Sequence, residues 1–321
     1  MRYSPLIAAL GIGACAEPGT HLGPHARLSK TGFFADVAGS KPADDLVEYR
    51  PAHPLWADGA DKRRWMRLPP GARIDTSDPD HWRFPVGTQF FKEFSENGVA
   101  LETRLIERVA DTGNDQTDTW MGAFVWNRDG TEAILAPGGA HDVNASQHDV
   151  PSQAECWSCH MGEPGRILGF SRVQLSGVDG VNVEWLERHR LLGAPLGEPY
   201  TIPGDATTAK ALGTLHANCG HCHNPNGVAW PDVQMVLRLS GSERTVADTE
   251  IVKTTVGVRA VTRTTPARPL RIAPGEPGMS ALIHRMGRRG DREQMPPLAT
   301  KVRDVRGLAA VADWIRSLGP P

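Results

Sequence analysis

Long hydrophobic runs and an excess of charge of either sign are both scarce in this chain of 321 residues. Its only long apolar stretch runs from Leu6 to Ala14, shorter than the ~20 residues of a membrane-spanning helix, so the sequence predicts no transmembrane segment. Lys and Arg total 35 against 37 Asp and Glu, which argues against a nucleic-acid partner and against intrinsic disorder. The 34 glycines and 26 prolines predict a loop-rich protein, and the length allows two compact units.

The N-terminal stretch resembles an export signal. Arg2 gives it a positive start, residues 5–13 are largely apolar, and small residues precede Cys15, so we expect a signal peptide at 1–14. Because the cysteine directly follows the cleavage point, the stretch also resembles a bacterial lipobox, and Cys15 is the predicted lipidation site. A plain signal cleaved a few residues later is the alternative. Several acyl chains would anchor the protein stably, in the periplasm or at the outer membrane as a lipoprotein.

Cysteine is rare, and its placement is the most specific signal in the sequence. The sequence has five cysteines, and the four other than Cys15 form two CxxCH motifs, Cys156-Trp157-Ser158-Cys159-His160 and Cys219-Gly220-His221-Cys222-His223. Two thiols at this spacing can each form a thioether with a haem vinyl group, and the histidine that follows can reach the iron as an axial ligand. The sequence therefore predicts two covalently bound haem c groups, attached through Cys156, Cys159, Cys219 and Cys222, with His160 and His223 as axial ligands.

Three other chemistries can use such cysteines. Disulfide bonds within each pair would leave the histidine after each second cysteine unexplained. A zinc site with four Cys or with Cys and His ligands is compatible with the spacing. Thioredoxin-like redox chemistry needs a strand-to-helix junction in a βαβ unit, which the sequence does not show.

Strand signals fill residues 28–150, after a predicted tether at 15–27. The runs from Trp120 to Trp126 and from Thr131 to Leu135 are separated by a turn at Asp129-Gly130, which predicts a β-hairpin. We expect an antiparallel β-rich domain, a small sandwich or barrel. Its core is predicted to include the aromatic residues Trp65, Trp82, Trp120, Phe124 and Trp126.

The remaining chain divides at residue 204. Residues 151–203 hold the first CxxCH motif and are too short for a complete cytochrome domain, so we expect the first haem to lie against the β-rich domain. Residues 204–321 begin with a helix capped by Asp205 or Thr207, continue through the second CxxCH motif, and end in an amphipathic helix. This order is typical of a class I cytochrome c. The predicted fold is thus α+β: an N-terminal antiparallel β-rich domain followed by mostly α-helical cytochrome c-type haem-binding regions.

Met295 lies in a loop with Pro296 and Pro297, shortly before the last predicted helix. A rigid loop suits a thioether that must point at an iron. We predict Met295 as the second axial ligand of the C-terminal haem, opposite His223, where a neutral sulfur ligand would raise the reduction potential. An ordinary loop methionine is the alternative.

Together these motifs resemble a family of exported bacterial dihaem c-type cytochromes with an N-terminal β-rich part. Besides the two CxxCH motifs, the likeness is carried by Leu28-Ser29-Lys30-Thr31-Gly32, Pro54-Leu55-Trp56-Ala57-Asp58-Gly59-Ala60 with Lys62 and Arg64, Phe84-Pro85-Val86-Gly87-Thr88, Glu102-Thr103-Arg104-Leu105, Trp126-Asn127 and Leu168-Gly169-Phe170. The resemblance implies an exported dihaem protein and no particular substrate.

The leading hypothesis is a lipid-anchored electron-transfer protein that passes electrons between a redox partner and an acceptor. The alternative is an enzyme, a dihaem peroxidase or oxidase with an open first haem, for which His141 and His148, with Asp142 and Asp149, are candidate acid–base groups. A structural lipoprotein is a third class. Candidates for the sixth ligand of the first haem are Met66, Met121, His53, His81, His141, His148 and His189.

Arginine is concentrated just before the Met295 loop. Eight arginines lie between 259 and 292, against only Glu276 and Asp291: Arg259, Arg263, Arg268, Arg271, Arg285, Arg288, Arg289 and Arg292. We predict that they ring the second haem and steer an acidic partner or an anionic acceptor there. A solvated face, with some arginines paired to haem propionates, is the alternative.

Overall fold

The computed structural model describes residues 24–36, 41–261 and 267–319. The predicted signal peptide and Cys15 lie outside these residues. The described strands are β1 (Phe34–Asp36), β2 (Lys41–Pro42), β3 (Val47–Glu48), β4 (Asp61–Arg67), β5 (Gln89–Glu96), β6 (Val99–Arg108), β7 (Thr119–Trp126) and β8 (Ala133–Leu135). The described helices are α1 (Asp115–Asp118), α2 (Gln153–His160), α3 (Arg172–Leu175), α4 (Val183–Arg188), α5 (Ala206–Asn218), α6 (Glu250–Thr255), α7 (Ala281–Met286) and α8 (Val305–Ser317).

Strands β3 to β8 form one antiparallel sheet in which each strand pairs with the next along the chain. The predicted hairpin is confirmed as β7 and β8, where Trp126 lies opposite Ala133 and Phe124 opposite Leu135. The short strands β1 and β2 form a separate two-stranded sheet. The six-stranded sheet is an open meander with β3 and β8 at its edges, and the expected sandwich or barrel is not formed by the described residues.

The sheet buries a different part of the chain on each face. One face packs Phe91, Leu105 and Phe124 against Leu28 and Phe33 from the N-terminal segment. The other face packs Met66 and Phe90 against Phe170, Leu175 and Leu186 from the segment at 151–203. The segment at 151–203 therefore covers the face of the sheet that a second sheet would cover in a sandwich. The five aromatic residues assigned to the core are all buried: Trp65, Trp82, Trp120, Phe124 and Trp126.

Contacts with the sheet begin before Leu28. The ring nitrogen Nε2 of His25 lies 3.1 Å from a Glu107 carboxylate oxygen. The backbone of Arg27 forms an isolated antiparallel β-bridge with Ile134. Residues 25–27, which were assigned to the tether, therefore pack on the folded domain because the edge strand β8 offers them unpaired backbone groups.

Helices α5 and α8 build the C-terminal core by packing against each other. Asp205, one of the two predicted caps, accepts a hydrogen bond from the Thr208 backbone N–H at 2.8 Å and starts α5. The apolar stripe of α8, the predicted amphipathic helix, buries Val311, Trp314 and Ile315. The described residues thus form a mixed α+β fold. They contain no helix that is both long and apolar enough to cross a bilayer.

Candidate functional site

Helix α2 carries the first CxxCH motif on its last two turns. Ser152 caps this helix through a reciprocal pair of contacts with Glu155, a capping box. The side chain of Gln153 donates a hydrogen bond of 2.9 Å to the Met121 carbonyl oxygen on β7. Because Cys156 and Cys159 are three residues apart in a helix, their thiols lie on the same face. These contacts fix α2 against the sheet.

His160 is held in the form that binds metals. Its Nδ1 lies 2.6 Å from the carbonyl oxygen of Arg166, so Nδ1 carries the proton and Nε2 keeps its lone pair. Burial lowers the pKa of His160 to about 4, and the imidazole is therefore neutral at physiological pH. A backbone hydrogen bond on the far nitrogen is the usual support of a histidine ligand.

The first motif and the sheet enclose a cavity of about 130 Å³. Cys156, Cys159 and His160 line one wall, and the sheet contributes Arg64, Phe90, Lys92, Arg104 and Met121 to the other. Two thiols and a neutral imidazole on one wall are the donors that attachment of a c-type haem requires. The basic side chains suit its carboxylates.

The second CxxCH motif follows α5 directly and turns sharply. A Cβ atom at Gly220 would come within 2.7 Å of the His216 carbonyl oxygen, so only glycine fits there. The buried Asn224 side chain donates hydrogen bonds of 2.7 Å to the Gly220 carbonyl and 3.2 Å to the His221 carbonyl. The turn is thus fixed by a tight backbone contact and by one amide side chain.

A second cavity, of about 350 Å³, opens beside this turn. Cys219, Cys222 and His223 line it together with Met295 and Pro296, so the fold brings the predicted pair of axial ligands to one cavity. The Nδ1 atom of His223 is buried and has no hydrogen-bond partner among the described residues. Burial lowers the pKa of His223 to about 4, so this imidazole is also neutral.

The two motifs meet. A thiol sulfur from each motif, Cys159 and Cys222, and a ring nitrogen of His221 all lie within 4.8 Å of one another. The contact with the Cys222 thiol lowers the pKa of Cys159, burial opposes that shift, and His221 adds to it. The described cysteines are all free thiols, so the structure contains no disulfide within either CxxCH pair. The attachment points of the two predicted cofactors are therefore neighbours.

Of the candidates for the sixth ligand at the first motif, the fold brings only His53 and Met121 to the cavity, within the described residues. His148 lies with Nε2 2.8 Å from a Glu102 carboxylate oxygen, and His141 is 85% exposed beside Asp149. His81 pairs with Asp78, and His189 stacks on Trp185. The proposed peroxidase groups His141 and His148 thus lie outside both cavities.

Sequence reasoning did not assign a role to the basic residues of the first cavity. Arg64 is among the residues that carry the family resemblance, and Lys92 is not among them. Their signal in the sequence is a cation at an inward-facing position of a strand, which is rare unless the cation is paired. Recognising it requires the strand register.

No family model, curated protein or solved structure matches this chain significantly. The likeness to dihaem c-type cytochromes therefore stays a prediction from sequence motifs, and the functional inference depends on the two cavities.

Proposed function

We propose that this protein is an exported dihaem c-type cytochrome that passes electrons between a redox partner and an acceptor. The observation that carries the proposal is the repeated arrangement: each CxxCH motif lines a cavity with two free thiols and a neutral imidazole. The cavities meet at Cys159 and Cys222, which suits transfer between two sites.

The C-terminal part supports a class I cytochrome c-like domain. Helices α5 and α8 pack together, the second motif follows α5 directly, and Met295 lines the same cavity as that motif. Apolar residues such as Leu237 and Leu282 line the same cavity. A haem bound there would supply a one-electron couple, while the methionine sulfur and the apolar lining would favour its reduced state.

The enzyme alternative needs a distal acid–base group near an open iron. The groups that the sequence suggested, His141 and His148, are engaged elsewhere, while His53 and Met121 stand at the first cavity as ligand candidates. If the iron of the first haem had six ligands, it would have no open position for peroxide, and the protein would transfer electrons only. The spectrum of the oxidised protein tests this: a low-spin first haem supports electron transfer, and a high-spin one supports the enzyme.

Zinc is the second candidate cofactor, since Cys159, His221 and Cys222 form a cluster of three donors. A structural zinc site has four protein ligands, and the cluster contains no fourth within the described residues. His160 and His223, each directly after a CxxC pair, would also have no role at such a site. The donor count therefore favours haem.

The deciding experiment is expression in a bacterial host that matures c-type cytochromes, followed by intact-mass measurement and a pyridine haemochrome assay after acid–acetone extraction. We expect two haem equivalents that stay with the polypeptide. The double variants C156S/C159S and C219S/C222S serve as matched controls, and each should retain one equivalent. Haem that leaves with the solvent, or stoichiometric zinc in elemental analysis, would reject the proposal.

Lipidation at Cys15 would place the electron-transfer protein on a membrane surface facing the periplasm. The variant C15S tests it. Wild-type protein should fractionate with membranes and show an acylated N-terminal peptide by mass spectrometry, whereas C15S should be released in soluble form with its haems intact. Release of wild type in soluble form, as for C15S, would reject lipidation at Cys15.

A further inference from the structure

Three adjacent strands present a row of cations to the first cavity. Arg64 on β4 lies opposite Lys92 on β5, and Lys92 lies opposite Arg104 on β6. All three line the cavity next to Cys156 and Cys159. Directly opposed like charges destabilise a sheet, and here Arg64 is buried while Lys92 and Arg104 are half-buried. Arg64, for instance, is only 6% exposed.

One of the three cations has a partner. Arg104 donates to both carboxylate oxygens of Glu102, and His148 occupies the same carboxylate. Glu102 is fully buried, so its oxygens are committed to these two residues. The charge of Arg104 is thereby neutralised within the protein.

The other two cations are not paired. Within the described part of the chain, neither Arg64 nor Lys92 forms an ion pair with a carboxylate. The Lys92 ammonium nitrogen lies 4.8 Å from the centre of the Phe94 ring, a contact that does not neutralise it. Burial and the neighbouring Arg64 and Arg104 lower the pKa of Lys92 well below its ordinary value. A buried cation without a counter-ion is costly and is expected where an anion binds.

We propose that Arg64 and Lys92, flanked by Arg104, form a receptor for carboxylate groups in the cavity beside the first CxxCH motif. Two unpaired cations on neighbouring strands match two carboxylates. Two sources offer this chemistry: the two propionates of a haem attached at Cys156 and Cys159, or a free dicarboxylate that enters the cavity. The first source depends on the proposed function.

The test replaces Lys92 by Met, which keeps the length of the side chain and removes its charge. The matched control is R63Q, because Arg63 lies next to Arg64 on the same strand, is 53% exposed and pairs with Glu48. The reduction potential of the first haem is measured in C219S/C222S protein, which should carry that haem alone. Loss of the cation should lower the equilibrium constant for reduction about tenfold in K92M and leave it unchanged in R63Q.

Stability separates a receptor from a packing role. In protein that carries the first haem, K92M should lower the thermal midpoint, because a carboxylate loses its partner. In C156S/C159S protein, which should lack that haem, K92M should raise the midpoint, because the repulsion among the cations is relieved. A residue that acts only by packing would lower the midpoint in both backgrounds, and that result would overturn the proposal.

Titration with succinate distinguishes the two sources of carboxylate. If the propionates fill the receptor, succinate should leave the potential of the first haem unchanged in wild type. If a free dicarboxylate fills it, the potential should shift in a saturable manner, and K92M should abolish the shift. Haem content is measured first by mass, so a missing first haem would count against the proposed function alone. The succinate titration of that protein, followed by the thermal midpoint, would still test the receptor, and no response there would reject it.

Discussion

Cys159 and Cys222 lie side by side: one sulfur atom from each CxxCH motif falls within 4.8 Å of the other. Gly162 permits this approach, since a Cβ atom there would come within 2.1 Å of the His221 carbonyl oxygen. The backbone just after the first motif therefore lies against the backbone of the second. Electron exchange between the two sites depends on this contact in the proposed function.

Substitution of Gly162 by Ala tests the contact. The added methyl group has no space, so the two segments must separate, at a cost of about 1–3 kcal/mol in the free energy of unfolding. Chemical denaturation measures the cost, and a redox titration should show weaker interaction between the two haems. The control is G138A, where a Cβ atom would meet nothing within 4 Å. Equal stability of G162A and G138A would contradict the close approach.

Substitution of Met295 by Ala should lower the reduction potential of the C-terminal haem and leave the other nearly unchanged. The reason is that Met295 lines only the second cavity, where its sulfur would stabilise the reduced iron. Spectroelectrochemical titration resolves the two potentials. Met279 is the matched control because its side chain is 48% exposed and does not line the cavity. If M295A and M279A give the same two potentials, Met295 is an ordinary loop residue.

The buried carboxylate of Glu102 predicts a loss of stability in acid. Burial alone would raise its pKa, but the charge of Arg104 and the hydrogen bonds from His148 and Arg104 outweigh burial and lower the pKa below the ordinary value of 4.5. A lowered pKa in the folded state contributes stability above the unfolded value, and that stability is lost as the pH falls through the folded value.

E102Q should therefore be less stable than wild type at neutral pH, by about 3 kcal/mol, because the half-buried Arg104 would lose its counter-ion. The difference should shrink as the pH falls below 4.5 and through the lowered pKa of Glu102, since wild type then loses the same interaction. Denaturant unfolding across this pH range measures it, with E96Q as an exposed control on the neighbouring strand β5. A constant difference at every pH would show that Glu102 acts without its charge.

The arginines before the Met295 loop divide into two kinds. Arg289 donates hydrogen bonds to the backbone carbonyls of Met286 at 3.1 Å and Met295 at 3.3 Å, so it supports the loop. Arg288 and Arg292 are exposed, and Arg288 contacts Asp291 at the surface. Arg288 and Arg292 are therefore suited to steering a partner.

The double variant R288Q/R292Q should slow electron transfer to an acidic partner several-fold at low salt. The difference from wild type should vanish once the Debye length falls well below ~10 Å. R289Q should instead change the potential of the C-terminal haem without altering the salt dependence. Stopped-flow rates across a salt series measure the first effect and redox titration the second. An electron-transfer rate that changes neither with salt concentration nor in R288Q/R292Q would exclude electrostatic steering.

Local sequence features determined much of this protein. The alternation of apolar residues and the Asp-Gly turn specified the hairpin of β7 and β8, and a single capping residue, Asp205, fixed the start of α5. The two CxxCH motifs specified the donors at both cavities, because their spacing is set by the chemistry of attachment. Features of this kind can be predicted from the sequence because they depend on residues only a few positions apart.

The tertiary structure alone decided which distant residues share a cavity. Seven side chains were equal candidates at the first motif by sequence, and packing admits only His53 and Met121 among those described. The opposition of Arg64, Lys92 and Arg104 depends on the register of three strands, and a shift of one residue would turn each cation to the other face. The approach of Cys159 to Cys222 depends on the docking of two segments at Gly162. No local pattern encodes these contacts, because they arise from packing between residues far apart in the chain.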